Sequence, residues 1–203
     1  MRDQQPARAV IRPGVALLWI PLGAGARVPV VRCNGLAFEA VAAWREKRPR
    51  QGLFHAALEV GAGSGGFVVE MTPAWGAGHI GEGAVATGPV GLSLLGRSRM
   101  FRYEVHCWRD GVIPDRSYAT GGPQQLSDDP GVGDRIVDLV PRFPARVWGR
   151  DELGTGDMWN SNSLVAWLLA MSGVLVDGLV PPDGGRAPGW TAGLVVARRR
   201  VVG

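Results

Sequence analysis

Four polar residues, Asn160, Ser161, Asn162 and Ser163, stand in succession where the apolar run "LVAWLLA" (164–170) must begin its helix. One Asn or Ser is enough to cap a helix, because its side-chain oxygen accepts from the first unpaired N–H groups. Those same N–H groups, at the positive end of the helix dipole, also stabilise an oxyanion, so a serine there is placed to act as a nucleophile. A serine hydroxyl stays protonated near neutral pH and depends on a base within hydrogen-bond reach, itself oriented by a third group. The chain offers one residue for each role. His55 interrupts the apolar run "LFHAALEV" (53–60) and Glu70 interrupts "FVVEM" (67–71), places where an ionisable group needs a reason to be. Ser161 would then be the nucleophile, His55 the base and Glu70 the orienting group, with Asn160 and Asn162 supporting an oxyanion. Alternatively Ser161 belongs to a cap, His55 is a core histidine with its hydrogen bonds met, and Glu70 is an exposed edge residue.

These residues need elements to hold them. "GVALLWIPLG" (14–23) reads as a buried strand, and "GLAFEAVAAWREKRP" (35–49) as a helix with Leu36, Ala40, Val41 and Trp44 on one face and Pro49 as its stop. Strands at 53–60 and 67–73 flank the turn "GAGSGG" (61–66), a hairpin that would lay Glu70 on the strand next to His55. "SRMFRYEVHCW" (98–108) alternates as a strand with Phe101, Tyr103, Val105 and Cys107 on one face. Cap residues and Pro130 open a short helix near 130–140. The last long helix runs over 161–172, and 193–201 reads as a final strand. This order predicts an α+β fold, an antiparallel sheet packed on a core helix that starts near Ser161. A single domain is expected over 1–203, with residues 1–12 as a flexible tail.

Several functions are disfavoured. Gly61, Gly63 and Gly66 satisfy G-x-G-x-x-G, but a dinucleotide loop must open a helix and this one precedes a strand. A G-x-S-x-G elbow and a Walker motif are absent. His55, His79 and His106 are far apart in the chain, so no metal site and no cofactor is expected. Cys33 and Cys107 do not make a disulfide framework, and Cys107 reads as an inert apolar residue with His106 on the opposite strand face. The net charge of +4 is dispersed, so no nucleic-acid partner is expected. The polar N-terminus and the short apolar stretch 15–23 point to a cytoplasmic protein; peripheral membrane contact and the oligomeric state stay open. Segments 71–76 and 181–190 either line a cleft or form rigid loops, and Arg150, Asp151, Glu152 and Asp157 include candidates to frame a substrate entrance. The eight tryptophans would suit an apolar acyl or aromatic ligand, although core packing accounts for most.

The succession of strand histidine, hairpin and late polar helix start resembles the circularly permuted papain-like proteins. That group includes the lecithin:retinol acyltransferase-like proteins and the PPPDE peptidases, whose nucleophile lies in a motif of the form N-C-x-x-F or N-C-N-x-F. Asn160 matches the first Asn, Ser161 takes the Cys position, Asn162 matches the second Asn, and Leu164 replaces the aromatic. The resemblance runs from about residue 53 to 170. It implies a permuted papain-like fold with His55 as base, and hydrolysis or acyl transfer on a small-molecule, acyl or peptide substrate through an amide, ester or thioester. Serine in place of cysteine leaves three outcomes: a serine-based variant, a binding or scaffold protein that has lost activity, or an engineered replacement.

Overall fold

Strand β1 (Gly14–Pro21) shows no alternation because both its faces are covered. Val15, Leu17 and Trp19 enter one core, and Leu18 and Ile20 the other. It is followed by α1 (Val30–Arg45), the hairpin of β2 (Phe54–Ala62) and β3 (Gly65–Pro73), then β4 (Ala84–Pro89), β5 (Arg102–Arg109) and β6 (Gln124–Ser127). The computed structural model describes residues 10–25, 30–74 and 84–201. The six strands form one sheet in the order β4-β5-β3-β2-β1-β6, and every neighbouring pair is antiparallel. The fold is α+β, as the sequence predicts.

The glycine turn is the expected hairpin. A Cβ on Gly61 would stand 2.1 Å from the Arg12 carbonyl oxygen, so glycine lets the chain at 10–12 cross the hairpin. Of the tail expected over 1–12, residues 1–9 lie outside the described residues, as does His79.

Three helices cover one face of the sheet: α2 (Pro130–Leu139), α3 (Ser161–Met171) and α4 (Trp190–Val201). Asp129 caps α2 by accepting from the Gly131 N–H at 2.8 Å, with Pro130 in the first turn. Every residue of α3 from Ser161 to Leu169 is buried. A helix without a polar face must be enclosed, and α3 lies among β2, α2 and α4. Trp159 and Trp167 pack there with Phe143, and Trp19 meets Trp190 at 5.0 Å, so these tryptophans serve the core.

Some expectations are corrected. Residues 193–201 are helical, not a strand. Val195 and Val196 suggest extended chain, but Ala192, Val196 and Ala197 fall on one helical face against α3, and that burial overrides β propensity. Residues 99–101 form a tight 3-10 turn, so β5 begins at Arg102 and Phe101 is exposed rather than aligned with Tyr103. The edge strands β4 and β6 carry too little alternation to announce themselves. Helix α1 starts earlier than its apolar face suggests, and that face turns outward.

Candidate active site

The four residues of the polar helix start have different fates. Asn160 is the cap: its Oδ1 accepts from the Asn162 N–H at 2.9 Å and the Ser163 N–H at 3.4 Å. Ser163 completes a capping box by accepting from the Asn160 N–H at 3.1 Å, and its hydroxyl also meets the Gly189 carbonyl at 2.8 Å. The segment 188–189 is drawn in by the same group. Asn160 Nδ2 donates to the Pro188 carbonyl at 2.8 Å, and the Gly189 N–H donates to Asp157 Oδ2 at 2.7 Å. Gly189 has φ +92°, and a Cβ there would stand 2.3 Å from Asn160 Oδ1, so only glycine fits without displacement.

Asn162 reaches away from its helix to β2. Its Oδ1 accepts from the Ala56 N–H at 2.8 Å, and its Nδ2 donates to the Phe54 carbonyl at 3.0 Å and the Pro188 carbonyl at 2.8 Å. Pairing of β2 with β3 stops at Leu58 and Val69. Beyond that point the Asn162 amide takes the place of a neighbouring strand, satisfying backbone groups that would otherwise be buried unpaired. Both its amide protons are therefore committed, which corrects its expected role as an oxyanion donor. Asn160 is likewise occupied as cap and tether.

Ser161 is the residue this network leaves over. It is only 5% exposed, and neither its hydroxyl nor its N–H has a hydrogen-bond partner among the described residues. His55 is also without a side-chain hydrogen bond among them, and none joins it to Ser161. The β2 residues Phe54, Ala56 and Leu58 face α3, whereas His55 shares the opposite face with Ala57 and with Ile20, its cross-strand neighbour. The first turn of α3 is bound to the backbone on either side of His55, at the Phe54 carbonyl and the Ala56 N–H, while the imidazole itself lies on the face away from α3. Half-buried by area but closely packed, the imidazole has its pKa pushed down to about 4 by desolvation.

Glu70 does lie on the strand next to His55 and on the same sheet face, yet no hydrogen bond joins the two. Its cross-strand neighbour on β5 is His106, and it is buried, not an exposed edge residue. Burial, with the negative charge of Asp115, pushes its carboxyl up to about 7, and Oε2 has no partner among the described residues. Thr72, Glu104 and His106 share this face; the His106 ring stacks on Trp108 at 4.3 Å, with Nε2 at 3.4 Å from Glu104 Oε2. Glu70 thus belongs to a buried polar layer on the far face of the sheet. A folded-state pKa raised from 4.5 to about 7 means that the native protein holds the proton longer, so stability falls as pH rises through that window. Glu70→Gln should therefore raise the unfolding free energy by about 3 kcal/mol at pH 8 and leave it nearly unchanged at pH 4. Urea unfolding at the two pH values checks this; an equal gain at both would remove the titration as its cause.

The remaining expected residues hold loops. Asp151 accepts from the Thr155 and Gly156 N–H groups, Glu152 from the Val147 N–H, and Arg150 donates to the Gly91 carbonyl. Arg150, Asp151 and Glu152 also line an open depression of about 400 Å³, to which neither Ser161 nor His55 contributes. Burial pushes the Cys107 thiol up to about 11, which keeps it protonated, and it packs on the helix-covered face, opposite His106. Sequence reasoning missed Pro188, Gly189 and the tethering role of Asp157, although the Pro- and Gly-rich run 181–190 is their signal. Among the described residues no group of three His, Cys, Asp or Glu side chains could hold a metal ion, and no helix is long and apolar enough to cross a membrane. Comparison with family models, curated proteins and solved structures finds no match to this chain.

Proposed function

We propose that the protein is a hydrolase or acyltransferase of permuted papain-like design, acting on an amide, ester or thioester with Ser161 as nucleophile and His55 as base. One observation carries this: of the four polar residues, Ser161 alone keeps its hydroxyl and N–H uncommitted among the described residues, while Asn162 ties its turn to the backbone on both sides of His55. The Ser161 Oγ would attack the acyl carbon as its proton passes to the imidazole, which is neutral at pH 7. The resulting oxyanion would accept from the Ser161 N–H, the first-turn donor that Asn160 leaves uncapped. Collapse would expel the leaving group with the proton from the imidazolium, leaving an acyl ester on Ser161 for water or an acceptor to take. Glu70 has no part in these steps.

A second reading, a non-catalytic binding or scaffold protein, is favoured by the missing hydrogen bond between Ser161 and His55. A fluorophosphonate probe separates the two. The enzyme should gain one adduct, located on Ser161 by peptide mapping and absent from a folded Ser161→Ala variant. If the folded wild-type protein takes up no adduct, the binding reading replaces the enzyme.

A further inference from the structure

Helix α1 is built with its apolar side outward. Gly35, Glu39 and Ala43 face the protein, while Leu36, Phe38, Val41 and Trp44 face solvent, Trp44 at 80% exposure. The inward Glu39 is satisfied: Arg48 donates to both its oxygens, at 2.5 and 3.2 Å, and the Gln51 N–H donates at 2.8 Å. Glu46 is also paired, with Arg48 and Arg186. With these acids neutralised, Arg45, Lys47 and Arg50 are exposed beside Trp44 without an ion pair to a described residue.

A second segment repeats this chemistry at the same end of the sheet. Pro21 pairs with Phe54, Pro73 with Tyr103 and Pro89 with Arg102, so the β1–β2 connection holding α1 and the β4–β5 connection leave the same end of the sheet, with β3 between their strands. The β4–β5 connection exposes Leu94 at 77% and Met100 at 68%. Beside them Arg97 and Arg99 are exposed, again with no ion pair to a described residue. Large apolar side chains rimmed by such cations suit the boundary between headgroups and acyl chains of an anionic bilayer.

We infer that α1 and the 92–101 segment form a docking surface for an anionic lipid bilayer, with Trp44 inserted and Arg45, Lys47 and Arg50 against the headgroups. The surface does not rest on the chemistry of Ser161. The full chain should float with vesicles containing one-third phosphatidylglycerol, and much less with pure phosphatidylcholine. Arg45→Gln with Arg50→Gln should weaken that binding roughly 25-fold, since each cation near an anionic surface contributes about 1 kcal/mol. Trp44→Ser should weaken it roughly tenfold or more. Salt near 1 M should release the wild-type protein, because screening there acts within about 3 Å. These positions are exposed, so the variants should melt like the wild type. The inference is overturned if anionic vesicles do not bind the protein, or if neither variant changes the binding. It is also overturned if sedimentation shows a dimer that Trp44→Ser dissolves while vesicles are ignored, which would make a second copy the occupant.

Discussion

Asn162→Ala should lower the unfolding free energy by about 3 kcal/mol, because it leaves two buried backbone groups of β2 without partners. The Ala56 N–H loses its acceptor and the Phe54 carbonyl its donor, at a stretch of strand where β3 no longer pairs. The Pro188 carbonyl keeps the Asn160 amide and is spared. For a chain of this length the melting temperature should drop by roughly 6–12 °C. Asn162→Asp refines the test: its carboxylate still accepts from the Ala56 N–H but brings a negative oxygen against two carbonyls, so it should be at least as damaging at pH 7. Loss of capping would not account for either result, since the cap is Asn160 and stays intact in both variants. If both variants unfold within about 0.5 kcal/mol of the wild type, the range of ordinary surface changes, the side chain is not holding α3 to β2.

What the sequence disclosed depended on whether a local rule and the tertiary packing agreed. The hairpin, α2 and α3 were legible because glycine, Asp129, Pro130 and the Asn160 cap act within a few residues of themselves. Helix α4 was misread because two adjacent valines favour a strand, and only the presence of α3 beside Ala192 and Val196 reverses that preference. The outward face of α1 could not be anticipated from periodicity, which finds an apolar face without saying what covers it. At the candidate site the unusual polar start was visible, and so was the histidine strand. The division of labour was not: separating the three residues that hold the helix from the one left free requires the positions of Phe54, Ala56, Pro188 and Gly189, far away in sequence. Glu70 illustrates the opposite failure. The hairpin rule laid it on the strand next to His55, but its burial beside β5 and the charge of Asp115 that reaches it come from residues distant in the chain.

His55→Ala should slow fluorophosphonate labelling of Ser161 by about 10²–10⁴-fold, the usual contribution of a general base. Glu70→Gln should leave the rate close to wild type, because no hydrogen bond links Glu70 to the imidazole. The pH profile carries the sharper signature. An ordinary imidazole loses its proton near pH 6.5, but at about 4 the His55 ring is already a free acceptor through the whole neutral range. The labelling rate of the wild type should therefore stay level from about pH 8 down to about pH 6 and fall only on approach to about 4, a fall that His55→Ala should lack. Folding must be followed in parallel, since the depressed pKa has its own consequence. Below pH 6.5 the unfolded chain takes up the proton that the folded chain refuses, so His55 lowers stability progressively as pH falls towards 4, the reverse of the trend set by Glu70. Labelling that persists undiminished in folded His55→Ala, with the same pH dependence, would leave Ser161 reactive but dismiss His55 as its base. A profile centred near 6.5 would instead show that the imidazole is more solvated than its packing against β1 allows.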